Sequence, residues 1–117
     1  MIFFAKDKAE EVRPKPMGGE GEIRARRPFS ADKRPDRTAF KMIGEMTLPA
    51  GSAIGFHVHE KDEEVYIFNQ GRGCFTRNDG QAVEVGPGDV TLTRKGEGHG
   101  LANIGLEPLV FTAIIVD

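Results

Sequence analysis

His57, His59 and His99 are the side chains of this 117-residue chain best suited to chemistry near neutral pH. His57 and His59 are separated by one residue, and on a strand residues i and i+2 point to one face. The pair can therefore converge on one point while Phe56 and Val58 face the opposite way. Glu64 begins the next apolar run, so after a turn over 60–63 its carboxylate can return toward the same point, and His99 would complete the set from a distant strand. Three imidazole nitrogens and a carboxylate oxygen suit a borderline divalent transition metal (Fe, Mn, Ni, Co, Cu or Zn) with positions left open for water or substrate. Calcium and magnesium prefer all-oxygen shells. A lone histidine reads as a hydrogen-bonded structural or surface residue, and a lone His-x-His pair is evenly balanced between structure and ligation. A one-residue slip would offer Glu63 in place of Glu64. Strand parity favours Glu64, because Tyr66 and Phe68 then share its inward face as an aromatic wall and Val65 and Ile67 pack outside.

The wider spacing tips that balance. Gly51-x5-His57-x-His59-x4-Glu64-x6-Gly71 is followed by Gly88-x5-Arg94-x-Gly96-x2-His99-x3-Asn103. These stretches resemble the two sequence motifs of the cupin superfamily, whose members fold as a jelly roll, or double-stranded β-helix, and usually hold a metal inside it. The resemblance implies that His57, His59, Glu64 and His99 are the metal ligands. It departs once, with Arg94 where the family pattern has a proline, and Arg94 and Tyr66 are the candidates for a role in catalysis. Cupins include dioxygenases, decarboxylases, sugar isomerases, lyases and sensory modules, so the scaffold alone does not name a substrate. Oxalate-decarboxylating members carry a substrate-holding arginine three residues before the first motif histidine. Ile54 stands there in this chain, which argues against oxalate chemistry of that type.

The elements that must position these residues read as all-β. The chain holds 15 glycines and 7 prolines, many for a helical bundle. Eight candidate strands follow residue 38: Phe40–Leu48, Ala53–Val58, Glu64–Phe68, Gly73–Arg77, Gln81–Val85, Val90–Thr93, His99–Asn103 and Leu109–Val116. Turn signals such as Pro49-Ala50-Gly51, Asn78-Asp79-Gly80 and Gly86-Pro87-Gly88 separate them. Residues 39–117 form the barrel. Residues 1–38 form an N-terminal strand at Met1–Phe4 and a basic arm whose prolines and glycines disfavour any long regular element and which wraps the core. Gly18-Gly19-Glu20-Gly21 lacks the Gly-Lys-Ser/Thr ending of a phosphate loop and reads as a tight bend.

The balance of 16 basic against 18 acidic side chains leaves a net charge of −2, which disfavours wholesale binding to nucleic acid or anionic membrane. No run reaches the ~18 apolar residues that cross a bilayer. The single Cys74 forms no internal bridge, reads as a buried thiol, and fits a reducing, cytoplasmic setting. Lys41, Arg77 and Arg94 could reach the barrel mouth and hold a carboxylate or phosphate, although each one singly reads as a solvated edge residue. Phe40, Met42, Tyr66, Phe68 and Phe111 suggest a partly apolar lining for a small molecule that chelates the metal. The reading is a metalloenzyme of oxygenase, lyase or isomerase type. The alternatives are a non-catalytic ligand-binding module and a closed structural zinc site. Apolar edges at Met1–Phe4, Val65 and Ile67 point to a homodimer.

Overall fold

Alternation of side chains builds the barrel. Along Phe40–Leu48, Met42, Gly44, Met46 and Leu48 are buried, whereas Ile43, Glu45 and Thr47 are not. Glu64, Tyr66 and Phe68 behave the same way in the strand after the turn, and so do Leu109, Phe111 and Ala113 near the C-terminus. A computed structural model describes residues 1–117. Its strands are β1 (Glu10–Pro14), β2 (Glu22–Phe29), β3 (Phe40–Leu48), β4 (Ala53–Val58), β5 (Glu63–Gln70), β6 (Gly73–Thr76), β7 (Ala82–Val85), β8 (Val90–Thr93), β9 (Gly98–Asn103) and β10 (Leu109–Val116).

The strands form two sheets, one in the order β1-β2-β3-β10-β5-β8 and the other in the order β4-β9-β6-β7, with every pairing antiparallel. The protein is a two-sheet double-stranded β-helix. Phe68, Phe111, Leu48 and Leu109 are the largest fully buried apolar side chains between the sheets. Burial of each contributes about 1.5–3 kcal/mol. Reversals use the turn chemistry that the sequence advertises. At Gly86-Pro87-Gly88-Asp89, Pro87 presets its own φ, Gly88 takes φ 90°, and the Asp89 amide donates to the Gly86 carbonyl at 3.0 Å.

The arm departs from expectation in two ways. Met1–Phe4 is not a strand: all four residues are exposed, and apolar character alone makes no strand where no partner edge lies alongside. The Pro/Gly-rich region does contain long regular structure, because β1 and the eight-residue β2 extend the larger sheet. Pro28 is tolerated in β2 because the pairing with β3 slips between Arg26 and Phe29, so no ladder bond is asked of its missing N–H. Ile23 and Ala25 join the core, and Arg27, two residues further on, faces the same interior side beside Gly44.

The bend at Gly18–Gly21 lies directly on β4. A Cβ at Gly19 would meet the Ala53 carbonyl oxygen at 2.0 Å, and one at Gly55 would meet the Met17 carbonyl oxygen at 2.2 Å. Backbone hydrogen bonds from the Glu20 amide to the Ala53 carbonyl at 3.0 Å and from the Ala53 amide to the Glu20 carbonyl at 2.9 Å lock this contact. The arm thus places Pro14–Met17 over one end of the barrel, at the mouth of the cavity described below.

Candidate metal centre

His57 and His99 are direct cross-strand partners on β4 and β9, so their rings emerge side by side. His59 lies one residue past β4, held by its own amide donating to the Glu97 carbonyl at 2.9 Å. Glu64 enters from β5 in the opposite sheet. The four side chains meet: one donor atom from each lies within 4.8 Å of all the others. His99 Nε2 is 3.2 Å from both His57 Nε2 and His59 Nε2, and Glu64 Oε1 is 3.1 Å from His59 Nε2 and 3.2 Å from His99 Nε2.

These separations fit coordination. Bonds of about 2.1 Å around one ion put neighbouring ligand atoms about 3.0 Å apart and opposite ones about 4.2 Å apart. The outward nitrogens are engaged elsewhere. His57 Nδ1 donates to the Gly55 carbonyl at 2.8 Å, His59 Nδ1 donates to Asp62 Oδ1 at 2.7 Å, and His99 Nδ1 is 2.7 Å from the Thr93 hydroxyl. With each Nδ1 proton turned outward, three Nε2 lone pairs and a carboxylate oxygen face one centre, where only protons or a cation can sit. Asp62 is itself oriented by Lys41 Nζ at 2.8 Å, which gives a Lys41–Asp62–His59 chain.

Electrostatics follow the same geometry. Burial pushes the Glu64 carboxyl up, but hydrogen bonds from His59 and His99 outweigh it and hold the group below the ordinary glutamate value. The hydrogen bond to Glu64 raises His59 above the usual imidazole value against its burial, and Asp62 adds to the rise. Burial lowers His57. Burial, then the negative charge of Glu64, lifts the Tyr66 phenol well above its ordinary value, so it stays protonated. Its ring stacks on His99 with centroids 4.9 Å apart and planes 22° apart, and its oxygen is 3.4 Å from His99 Nε2.

A cavity of about 330 Å³ opens onto this cluster. His57, His59, Glu64 and Tyr66 line its floor, Met42, Met46, Ile54 and Phe111 its apolar walls, and Arg13, Lys15 and Arg27 its cationic side. A larger groove of about 740 Å³ lies between the free edges of β7 and β8, but it contains none of the four donors and is not the site.

Several expected contributors lie elsewhere. Arg94 does not line the cavity: it sits in the turn after β8, and its guanidinium is bonded to Glu97 at 2.9 and 3.1 Å. Arg77 is exposed, 3.7 Å from Asp79. Lys41 orients Asp62 instead of standing free at the mouth. Phe40 is 45% exposed because the pairing of β3 with β10 slips between Ile115 and Val116 at that end, and Phe68 is wholly enclosed in the core without lining the cavity. Cys74 is only half-buried, on the outward face of β6 between the inward Gly73 and Phe75. Conversely, sequence reasoning passed over Asp62, Thr93 and Arg27. An acid three residues after a candidate ligand histidine is a usable signal for Asp62, whereas Arg27 becomes legible only once β2 is recognised as a strand, since it then alternates inward with Ile23 and Ala25.

A two-sheet jelly roll with three histidines and one glutamate converging inside defines a cupin, and the family model described as "Cupin domain" matches residues 44–115. The chain belongs to this family. Among curated relatives, the oxalate-binding protein of Thermotoga maritima is 35% identical over 99 residues, covering 85% of this chain and 79% of that protein. A solved Thermotoga maritima structure described as a predicted oxalate decarboxylase superposes with a TM-score of 0.88 at 32% identity, covering 99% of this chain and 98% of that one. The polyketide cyclase RemF of Streptomyces resistomycificus shares the fold, with a TM-score of 0.78 at 22% identity over 99% of this chain and 78% of that one.

Proposed function

We propose that this cupin holds one divalent transition metal through His57, His59, His99 and Glu64, and that it acts on a small organic acid that chelates the ion from the cavity. The observation that carries the reading is the convergence of four donor atoms within 4.8 Å, with all three outward imidazole nitrogens engaged by other groups. When bound, the metal supplies Lewis acidity toward a chelating carboxylate, enol or diol, and redox chemistry if it is iron, manganese, copper, cobalt or nickel. Zinc in a closed structural site is disfavoured, because such sites are built with thiolates and these donors carry none and border an open cavity.

The chain's own residues do the rest. Met42, Met46, Ile54 and Phe111 exclude water from one side of the substrate. The neutral Tyr66 phenol can donate a hydrogen bond toward an oxygen bound near His99. An acidic substrate is supported by the cationic cavity wall and by the oxalate-binding relative. Ile54, lying where an arginine holds substrate in oxalate-decarboxylating cupins, speaks against decarboxylation in that manner. The reaction class we propose is oxygenation, a lyase step or isomerisation. A second reading, metal-dependent binding without turnover, is favoured by the name of that relative.

The test is to measure metal content, then titrate oxalate and related 2-oxo and 2-hydroxy acids into loaded and metal-stripped protein while following oxygen uptake and product formation. Binding that requires metal supports the proposal, and turnover separates enzyme from binding module. Binding equally strong without metal would overturn both readings. We further propose a homodimer, supported by the exposed Met1, Ile2, Phe3 and Phe4; sedimentation as a monomer at micromolar concentration would contradict it. The lone unbridged Cys74 supports a reducing, cytoplasmic setting.

A further inference from the structure

Arg27 is the one strongly buried cation of the molecule whose charge no interior partner answers. Its side chain is only 13% exposed, yet the only acceptor it reaches is the carboxylate of Glu11, which is 48% exposed on the edge strand β1. Its Nε–H is fully buried and has no partner at all. A guanidinium carries five donors, and a buried donor without an acceptor is disfavoured. The residue lines the same cavity as His57, His59, Glu64 and Tyr66.

The backbone around it is shaped to bring it there. Arg27 follows Ile23 and Ala25 at two-residue spacing, so strand alternation turns its side chain to the interior beside them. Its aliphatic stem then crosses β3 at Gly44, where a Cβ would lie 2.7 Å from Arg27 Cγ. Any side chain at position 44 would therefore push the Arg27 stem aside.

We propose that Arg27 is the anchor for an anionic group of the ligand: a small dicarboxylate or carboxylic acid chelates at the histidine–glutamate centre and extends a carboxylate to Arg27, with Glu11 as the counter-ion it displaces. This rests on the metal-dependent reading above and names the class of ligand that the cavity selects. Planar carboxylate recognition by a guanidinium is bidentate and charge-assisted. Only the Nη2 atom is engaged by Glu11, so displacing Glu11 and turning the guanidinium toward the cavity would give the orphaned Nε–H an acceptor.

The experiment is calorimetric titration of oxalate and malonate into metal-loaded wild type, Arg27→Gln, Arg27→Lys, Gly44→Ala and Glu11→Gln, with acetylacetone as a chelator that has no carboxylate to present. Metal content and thermal unfolding are read on the same samples. Arg27→Gln should weaken binding of at least one dicarboxylate by about tenfold to a hundredfold, the span of a charge-assisted hydrogen bond, and leave metal content and acetylacetone affinity unchanged. Arg27→Lys should recover only part of the loss. Gly44→Ala should weaken the same ligand by displacing the stem, and Glu11→Gln, on an exposed edge strand, should tighten it by removing the competitor. A purely structural Arg27 would not produce these opposite signs. Metal-loaded Arg27→Gln that binds both dicarboxylates within threefold of wild type overturns the proposal, as does loaded wild type that binds neither. Wild type that holds no metal sinks the underlying reading and this one with it, a failure told apart by the metal content.

Discussion

Replacing Asp62 with asparagine probes the centre without touching a ligand. The Asp62 carboxylate accepts from His59 Nδ1 at 2.7 Å and from Lys41 at 2.8 Å, and its side chain is 15% exposed. Burial pushes its carboxyl up, but hydrogen bonds from Lys41 and His59 hold it below the ordinary aspartate value, so it is ionised wherever the metal binds. The negative charge makes His59 a better donor and fixes its tautomer; asparagine keeps the shape and loses the charge. Loss of such an outer partner weakens metal affinity by about 10–100-fold, or about 1.4–2.7 kcal/mol. Competition against a chromogenic chelator at pH 8 measures this directly. A second signature follows from proton linkage. The wild-type imidazole of His59 is raised above its ordinary value, so metal must displace its proton at a higher pH than from a free imidazole, and affinity falls about tenfold per pH unit below the folded pKa. Without the Asp62 charge that value drops, and the pH at which affinity begins to fall moves down. The variant is therefore weaker at pH 8 and closer to wild type near pH 6. Affinities within twofold at pH 8, with the same pH profile, would refute the orienting role of Asp62.

In metal-free protein the histidines should titrate in a set order, with His59 above the ordinary value of about 6.5 and His57 below it. The raised His59 stabilises the fold below about 6.5 and loses that contribution as pH rises through its folded value. The lowered His57 costs stability as pH falls from about 6.5 toward its own folded value. NMR titration of the imidazole resonances checks the order, and the reverse order contradicts the assigned hydrogen bonds. Phe111→Ala should destabilise by about 3–5 kcal/mol in denaturant unfolding, because Phe111 is wholly enclosed against Tyr66 and Phe68; a loss under 1 kcal/mol would show that the core closes over the gap. Stripping the metal should leave cooperative unfolding intact, since thirteen buried residues pack as a core. Loss of the cooperative transition on stripping would make the ion part of the fold.

Parity is what made the centre legible. One alternating pattern in β4 and another in β5 were enough to bring His57 and His59 together and to choose Glu64 over Glu63, with Tyr66 and Phe68 inward and Val65 and Ile67 less buried, as the structure has them. Turn chemistry likewise bounded the eight barrel strands to within two residues. What parity could not reach were the places where register slips. Pro28, seated at a register slip, and the glycines before β2 hid that strand within an arm that reads as irregular, and with it the inward Arg27. The slip at the start of β3 turned Phe40 to solvent. Met1–Phe4 shows the converse limit, a β-prone composition with no edge to join. Lys41 and Asp62 pair across 21 positions, a link set by tertiary packing, and neither residue type announces it.

The most direct test of the centre is X-ray diffraction from crystals of metal-replete protein, collected on both sides of the absorption edge of the bound element. The account predicts one anomalous peak per chain, within about 2.0–2.3 Å of His57, His59 and His99 nitrogens and a Glu64 oxygen. A peak anywhere else, or no peak with those four side chains bridged only by protons and water, would contradict it.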